Sequence, residues 1–213
     1  RPGIRMTTDS HVIVLGTHNR KKGRELSELV ATWGLTVKTL ADFPAPLCVV
    51  EDGATFAENA RRKACQQARH LGTWVLGEDS GLAVAALGGR PGVCSARYAG
   101  PQATDAANTQ HLLEELQGVP AAQRWAHYVC HITLADAGGV VRAESEACCH
   151  GRITTAPRGT AGFGYDPVFE IAEYHRTFAE LGDAVKAVLS HRGRAVRRLL
   201  AALRPLIPQL PSS

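Results

Sequence analysis

The stretch Arg124–His150, RWAHYVCHITLADAGGVVRAESEACCH, decides the fold class. A largely apolar run extends from Trp125 to Ala135, the pair Gly138-Gly139 follows it, and a second run starts at Val140. Two such runs around a glycine turn predict a β-hairpin, and hairpin strands are antiparallel. Upstream the pattern is different. His11–Leu15 (HVIVL) reads as a short β-branched strand ending at Gly16, and Arg20–Trp33 then sets Leu26, Leu29 and Val30 on one helical face. Thr55 with Glu58 three residues later has the capping-box pattern and opens an Ala-rich helix to about Leu71, followed by a strand at Thr73–Gly77. Thr104–Leu116 predicts a helix with Ala107, His111, Leu112 and Leu116 as its buried candidates. Ser190 caps a last helix whose Val196, Leu199, Leu200 and Leu203 share one face. Alternating strands and helices followed by a hairpin make an α/β protein, a mixed sheet with helices on its faces.

At 213 residues, 45% hydrophobic and 21% charged, the chain is long enough for one folding unit with a sizeable core and shows neither disorder nor a repeat. Residues 11–207 are expected to form a single domain, between an N-terminal extension at 1–10 and a tail at 208–213. The net charge of +4, with Arg192, Arg194, Arg197, Arg198 and Arg204 gathered late, biases the chain mildly towards anionic partners. No apolar run approaches the roughly 18 residues of a membrane helix, and RPGIRMTTDS lacks the layout of a secretory signal, so a cytoplasmic protein with no membrane partner is expected. The six cysteines show no CxxC spacing and read as reduced core thiols. The hairpin gathers His127, Cys130, Cys148, Cys149 and His150, but adjacent strand residues face opposite sides, which argues against a zinc site.

Five segments carry candidate chemistry. GTHNRKKGRE (Gly16–Glu25) puts a polar, cationic loop between a strand and a helix N-terminus, a natural phosphate seat that lacks the Walker spacing. On the next helix Asn59 and Lys63 are four apart and share a face, so Lys63 could meet a phosphate while Asn59 orients a loop. TWVLGEDSGL (Thr73–Leu82) ends an apolar strand in two carboxylates, hard donors suited to Mg²⁺. If the strand persists, alternation puts Glu78 on the face of Trp74 and Leu76 and Asp79 on the other with Val75. Asp79 is then the favoured metal ligand, Glu78 a supporting acid and Glu51 a second carboxylate. GFGYDPVF (Gly162–Phe169) bares the backbone around Phe163, which suits either a flat ligand stacked on the ring or a tight turn with the ring in the core. His191 and Arg192 sit at the start of the last helix, where cations oppose the dipole unless an anion or a carbonyl is nearby.

Together these motifs resemble the inosine triphosphate pyrophosphatase family, the Ham1-like hydrolases of non-standard purine nucleoside triphosphates. In order they are Thr17, Asn19 and Lys22 with Glu25; TFAENARRKA at Thr55–Ala64; DSGL at Asp79–Leu82; GGRPGVCSARY at Gly88–Tyr98; GFGYDPVF; TFAEL at Thr177–Leu181; and SHRGRA at Ser190–Ala195. Glu78 stands where many bacterial members have Asp, and Cys94 where Tyr is common. The resemblance implies an elongated mixed sheet in two lobes around a central cleft, and usually a homodimer. It further implies that Thr17, His18, Asn19, Arg20, Lys21, Lys22, Lys63 and Ser80 bind the triphosphate. Glu51 and Asp79 take Mg²⁺, or Mn²⁺ in its place, and Asp79 also accepts the proton. Phe163, Gly164, Tyr165, Asp166, Lys186, His191 and Arg192 form the base pocket, with Phe163 stacked on the purine. The expected reaction turns ITP, dITP or XTP into the monophosphate and pyrophosphate. A Maf-like pyrophosphatase for modified pyrimidine nucleotides is the second reading; a nucleic-acid-binding module would use the late arginines but leave the acids idle.

Overall fold

The computed structural model describes residues 11–31 and 33–211, so the expected N-terminal extension lies outside the described residues. β1 (Val12–Leu15) is buried along its whole length. α1 (Arg20–Ala31) follows a loop in which Asn19 Oδ1 accepts the N–H groups of Lys21 and Lys22, two donors a helix start leaves unpaired. The helix stops short of Trp33 because Gly34, at φ 72°, turns the chain out of it. β2 (Thr36–Thr39) comes next, and α2 (Phe56–Leu71) is capped as its spacing predicts: Thr55 Oγ1 accepts from Glu58 N–H, and Glu58 Oε2 from Ala54 N–H.

β3 (Val75–Val84) departs from expectation. It does not end at Gly77 but runs through Glu78, Asp79 and Ser80, because β4 (Trp125–Ala135) pairs with it antiparallel from Val75↔Ala135 to Val84↔Ala126. Between them α3 (Asp105–Glu115) buries Leu112, with Leu116 just beyond its end; Ala107 is exposed and His111 half-buried, because Asn108 and Thr109 take the inward face. Asn108 earns burial by donating to the Ala96 carbonyl and accepting from Ala99 N–H. β5 (Val141–Ile153) completes the predicted hairpin, and β6 (Phe169–Ile171) and β7 (Arg176–Thr177) extend the sheet. α4 (Phe178–Leu181), α5 (Asp183–Leu189) and α6 (His191–Leu203) close the chain, α6 with Ser190 Oγ accepting from Gly193 N–H. Of the segment set apart as a tail, residues 208–211 are described; Leu210 is buried and the Pro211 carbonyl accepts from Val12 N–H.

Among the described residues the sheet has seven strands in the order β2-β1-β3-β4-β5-β6-β7, parallel at β2-β1-β3 and antiparallel beyond. α1 and α6 cover one face, where Leu26, Val30, Val196 and Leu199 meet Ile13, Leu15, Leu76 and Ile132. Burying each such side chain contributes about 1.5–3 kcal/mol. α2 covers the opposite face through Ala64 and Ala68 on Val14 and Val75. It can come this close because Gly77 has no Cβ; one added there would lie 2.6 Å from Ala64 N. A second apolar cluster, around Leu82, Leu112, Tyr128, Phe169 and Phe178, occupies the other half of the molecule. Among the described residues, no helix is long and apolar enough to cross a membrane.

Candidate active site

β1 pairs with β3 only at Val14↔Val75 and Leu15↔Leu76. After the bond from Gly16 N–H to the Leu76 carbonyl, the β1 side of β3 is an open edge, and there the strand carries Glu78, Asp79 and Ser80. Two cavities meet over that edge. One, of about 120 Å³, is lined by Thr17, His18, Asn19, Glu51, Lys63 and Asp79; the other, of about 80 Å³, by Tyr128, Phe163, Asp166, Lys186, His191 and Arg192. Lys22, Ser80 and Ala96 line both, so the two form one cleft bent over the strand.

Alternation along β3 separates its acids as expected. Asp79 faces α2, where Lys63 Nζ donates to its Oδ1 at 3.1 Å and Asn59 Nδ2 to its Oδ2 at 3.2 Å. The same Lys63 ammonium donates to Glu51 Oε2 at 2.8 Å, and Asn59 Oδ1 accepts Gly53 N–H, tying down the loop before α2. Glu78 faces α6: Arg192 Nε and Nη2 donate to its Oε1 at 3.1 and 3.0 Å, and Lys22 Nζ lies 3.2 Å from its Oε2. Lys22 Nζ also stands 4.0 Å from Asp79 Oδ1, bridging the two faces. These surroundings drive the carboxyls apart. Burial raises both, but for Glu78 the charges of Lys22, Arg192 and Lys63 outweigh it and hold the group well below the usual carboxylate range. For Asp79 burial, reinforced by Glu78 and Glu51, prevails over Lys63 and Lys22, leaving it above the ordinary value. Glu78 is thus held in its anionic form, and the Asp79 carboxylate binds a proton more readily than an ordinary aspartate.

Glu51 and Asp79 share one cation, the Lys63 ammonium, so the pair has the convergence and the hard oxygens that Mg²⁺ takes. In and around the cleft, Lys22, Lys63, Lys186 and Arg192 are paired with the carboxylates of Glu25, Glu51, Glu78, Asp79 and Asp166. Among the described residues no three His, Cys, Asp or Glu side chains are grouped to hold a metal, so a bound ion would complete its shell with water or substrate phosphate oxygens, as Mg²⁺ commonly does.

In the second cavity Lys186 Nζ donates to Asp166 Oδ2 at 2.7 Å and lies 4.3 Å from the Phe163 ring centroid. Asp166 Oδ2 also accepts Phe163 N–H at 2.8 Å. Gly162, at φ 77°, makes this turn feasible, since a Cβ there would run into the Asp166 carboxylate. Phe163 is therefore held half-buried at the cavity wall by its own loop, not sunk in the core. Glu25 of α1 accepts from Arg192 Nη1 and lies 3.3 Å from Lys186 Nζ, and Arg192 Nη2 reaches Ser80 Oγ at 2.8 Å.

Most sequence-derived candidates line these two cavities. Arg20 and Lys21 do not line the cavity at Asp79: both open onto a neighbouring groove between α1, α5 and α6, and Lys21 donates to Asp105 at 2.5 Å. Tyr165 is in the core, its hydroxyl donating to the Ser95 carbonyl at 2.8 Å, although its edge lines the second cavity. Sequence reasoning left out Gln67, which exchanges hydrogen bonds with Leu47 N–H and carbonyl at the rim; its four-residue spacing from Lys63 was the available signal. It also left out Tyr128, whose place depends on the β3–β4 register, Leu82↔Tyr128. In the hairpin, Cys130 and Cys149 are buried and His127 faces His150 with ring centroids 5.4 Å apart.

The model of the Ham1 family matches residues 13–202. The dITP/XTP pyrophosphatase of Rhodopirellula baltica is 50% identical over 92% of this chain and 94% of its own, and that of Geobacillus kaustophilus is 50% identical over 88% and 91%. Among solved structures, a HAM1 protein from Coxiella burnetii superposes with a TM-score of 0.82 at 38% identity, covering 92% of this chain and 99% of its own. The Staphylococcus aureus Ham1 protein gives 0.81 at 33%, with the same coverage.

Proposed function

The chain belongs to the Ham1 family, and we propose that it hydrolyses non-standard purine nucleoside triphosphates (ITP, dITP and XTP) to the monophosphate and pyrophosphate, clearing them from the nucleotide pool. The observation that carries this reading is the bent cleft itself, with a cationic half around Asp79, Lys22 and Lys63 joined to an aromatic half around Phe163 and His191.

In this reading the triphosphate lies along Thr17, Asn19, Lys22, Lys63 and Ser80. Asn19 already caps the first N–H groups of α1, so the loop presents chiefly the Thr17 hydroxyl and the Lys22 ammonium. Water attacks the α-phosphorus, its oxygen bonds to phosphorus, the α–β bridging P–O bond breaks, and pyrophosphate departs. Asp79, its basicity raised, accepts the proton, while Lys22 and Lys63 stabilise charge on the leaving group. Glu51 and Asp79 would hold Mg²⁺, which when bound spreads the negative charge developing on the phosphoryl oxygens. Phe163 stacks on the base, and a donor from His191 favours a 6-oxo purine over the amino group of adenine. A homodimeric, cytoplasmic enzyme with Mn²⁺ as a substitute metal belongs to the same proposal by family likeness.

Pyrophosphate release from ITP, XTP, ATP and GTP, with and without Mg²⁺, tests it. ITP and XTP should be turned over far faster than ATP and GTP, and only with the metal; equal rates on ATP and ITP would displace the reading. Lys22→Ala should slow all triphosphates about equally, since it touches no base.

A further inference from the structure

Arg192 was expected to read the base, but its guanidinium is already engaged by Glu78, Glu25 and Ser80. The groups left without partners in the base cavity lie elsewhere. Tyr128, on β4, lines the cavity, is 7% exposed, and its hydroxyl makes no hydrogen bond among the described residues. Its ring stacks on His191 at 4.5 Å between centroids and 7° between planes. His191 is 3% exposed, and its Nδ1 is sealed from the cavity with no partner among the described residues.

We propose that Tyr128 is a specificity-determining residue for the purine base: its ring fixes the plane of His191, and its hydroxyl donates a hydrogen bond to a 6-oxo purine. The proposal rests on the reading of this cavity as the base pocket. Its logic begins with the imidazole. Burial, and then the charges of Arg192 and Lys186, hold His191 neutral, so one ring nitrogen carries a proton and the other does not. A buried N–H without a partner is rarer than a buried acceptor without one, so the proton belongs on Nε2. Nε2, which is neither sealed nor bonded among the described residues, is then a pure donor in the cavity. A rotated ring would present an acceptor instead, so orientation decides whether hypoxanthine or adenine is favoured. The flat stack on Tyr128 restrains that rotation, and Tyr128 is itself wedged against Phe169 at 4.6 Å between centroids. Burial, with Asp166 and Tyr165 near, raises the phenol well above its usual range, so the hydroxyl remains a donor at every working pH.

Two substitutions separate the two contributions. Tyr128→Phe keeps the stack and loses the hydroxyl; KM for ITP and XTP should rise about tenfold at nearly unchanged kcat, the scale of one hydrogen bond in a closed pocket. Tyr128→Leu loses both, and the ITP-to-ATP ratio of kcat/KM should also fall by about tenfold or more. Calorimetric binding of IMP to both variants gives a readout free of turnover and of the metal, and should weaken in the same order; melting curves verify that each variant is folded. If Tyr128→Phe matches wild type in KM and in IMP affinity, the hydroxyl has no such role. If Tyr128→Leu keeps the full ITP-to-ATP ratio, the stack does not set specificity. Failure of the wild type to prefer ITP would overturn the pocket assignment on which both rest, and is distinguishable because it requires no variant.

Discussion

Neighbouring residues of one strand, Glu78 and Asp79, are almost equally buried and point to opposite faces, so the same change to each should read out differently. Asp79→Asn keeps the volume and removes a base and a candidate metal charge. The expected loss in kcat is roughly 10² to 10⁴-fold with little change in melting temperature. Near-normal turnover with unaltered Mg²⁺ dependence would sink the assignment. Glu78→Gln instead strips the common partner of Arg192 and Lys22. Breaking a buried ion pair typically costs about 3–5 kcal/mol, so a clear drop in melting temperature should accompany its loss of activity. His191 adds a pH signature. The unfolded chain binds its proton near pH 6.5, whereas the folded ring, lowered mainly by burial, binds it only at lower pH. The unfolded state therefore holds more protons below about pH 6.5, and this contribution to stability is full above that pH and lost as pH falls. Asp79 and Asp166, raised chiefly by burial, act with the opposite sign in more acid solution, so the informative quantity is a difference between proteins. His191→Asn should flatten the decline in melting temperature between about pH 7 and pH 5.5 relative to wild type; parallel profiles would assign the acid lability to other groups.

At the scale of elements, the contact between α2 and β3 sets the distance between Lys63 and Asp79. Gly77 lets the helix backbone rest on the strand, and a Cβ there would meet the Ala60 carbonyl and Ala64 N. Both are backbone atoms that cannot rotate away. Gly77→Ala should cost about 1–3 kcal/mol or more and reduce activity by moving Lys63 off Asp79, measurable as a fall in denaturation midpoint together with kcat. Wild-type stability would show that the helix can shift freely. The starts of α2 and α6 were legible in advance, because caps at Thr55 and Ser190 are local hydrogen bonds between near neighbours. The end of β3 was not: Glu, Asp and Ser after Gly77 look like a turn, and only pairing with β4, about fifty residues on, holds them extended. Ala107 misled for a related reason. Its methyl suits a core, but the helix turns its inward face to where Asn108 and Thr109 find backbone partners, with Thr109 Oγ1 reaching the Gly164 carbonyl at 3.3 Å.

For the whole molecule, β3, β4 and β5 pass through both halves, contributing Leu76 and Ile132 to one apolar cluster and Leu82 and Tyr128 to the other. Neither half can lose its sheet without disturbing the other, so denaturant unfolding should be a single transition. Far-UV circular dichroism and fluorescence, with Trp33 and Trp74 reporting on the first cluster and Trp125 lying near the far end of β4, should give coincident curves. Separated midpoints would mean that the halves unfold independently. What the sequence by itself determined were features written over a few residues: the hairpin, the caps, the cationic composition of the loop after β1, the opposite facing of Glu78 and Asp79, and the motif order that points to the family. The tertiary structure alone decided that Lys22 reaches both acids, that Lys63 joins Glu51 to Asp79, that Lys21 turns to Asp105, and that Tyr128 stacks on His191. The reason is physical. Helix periodicity, capping and strand alternation follow from backbone geometry within one element, whereas strand order and register bring together residues far apart in the chain, and no short-range pattern encodes which of them will meet.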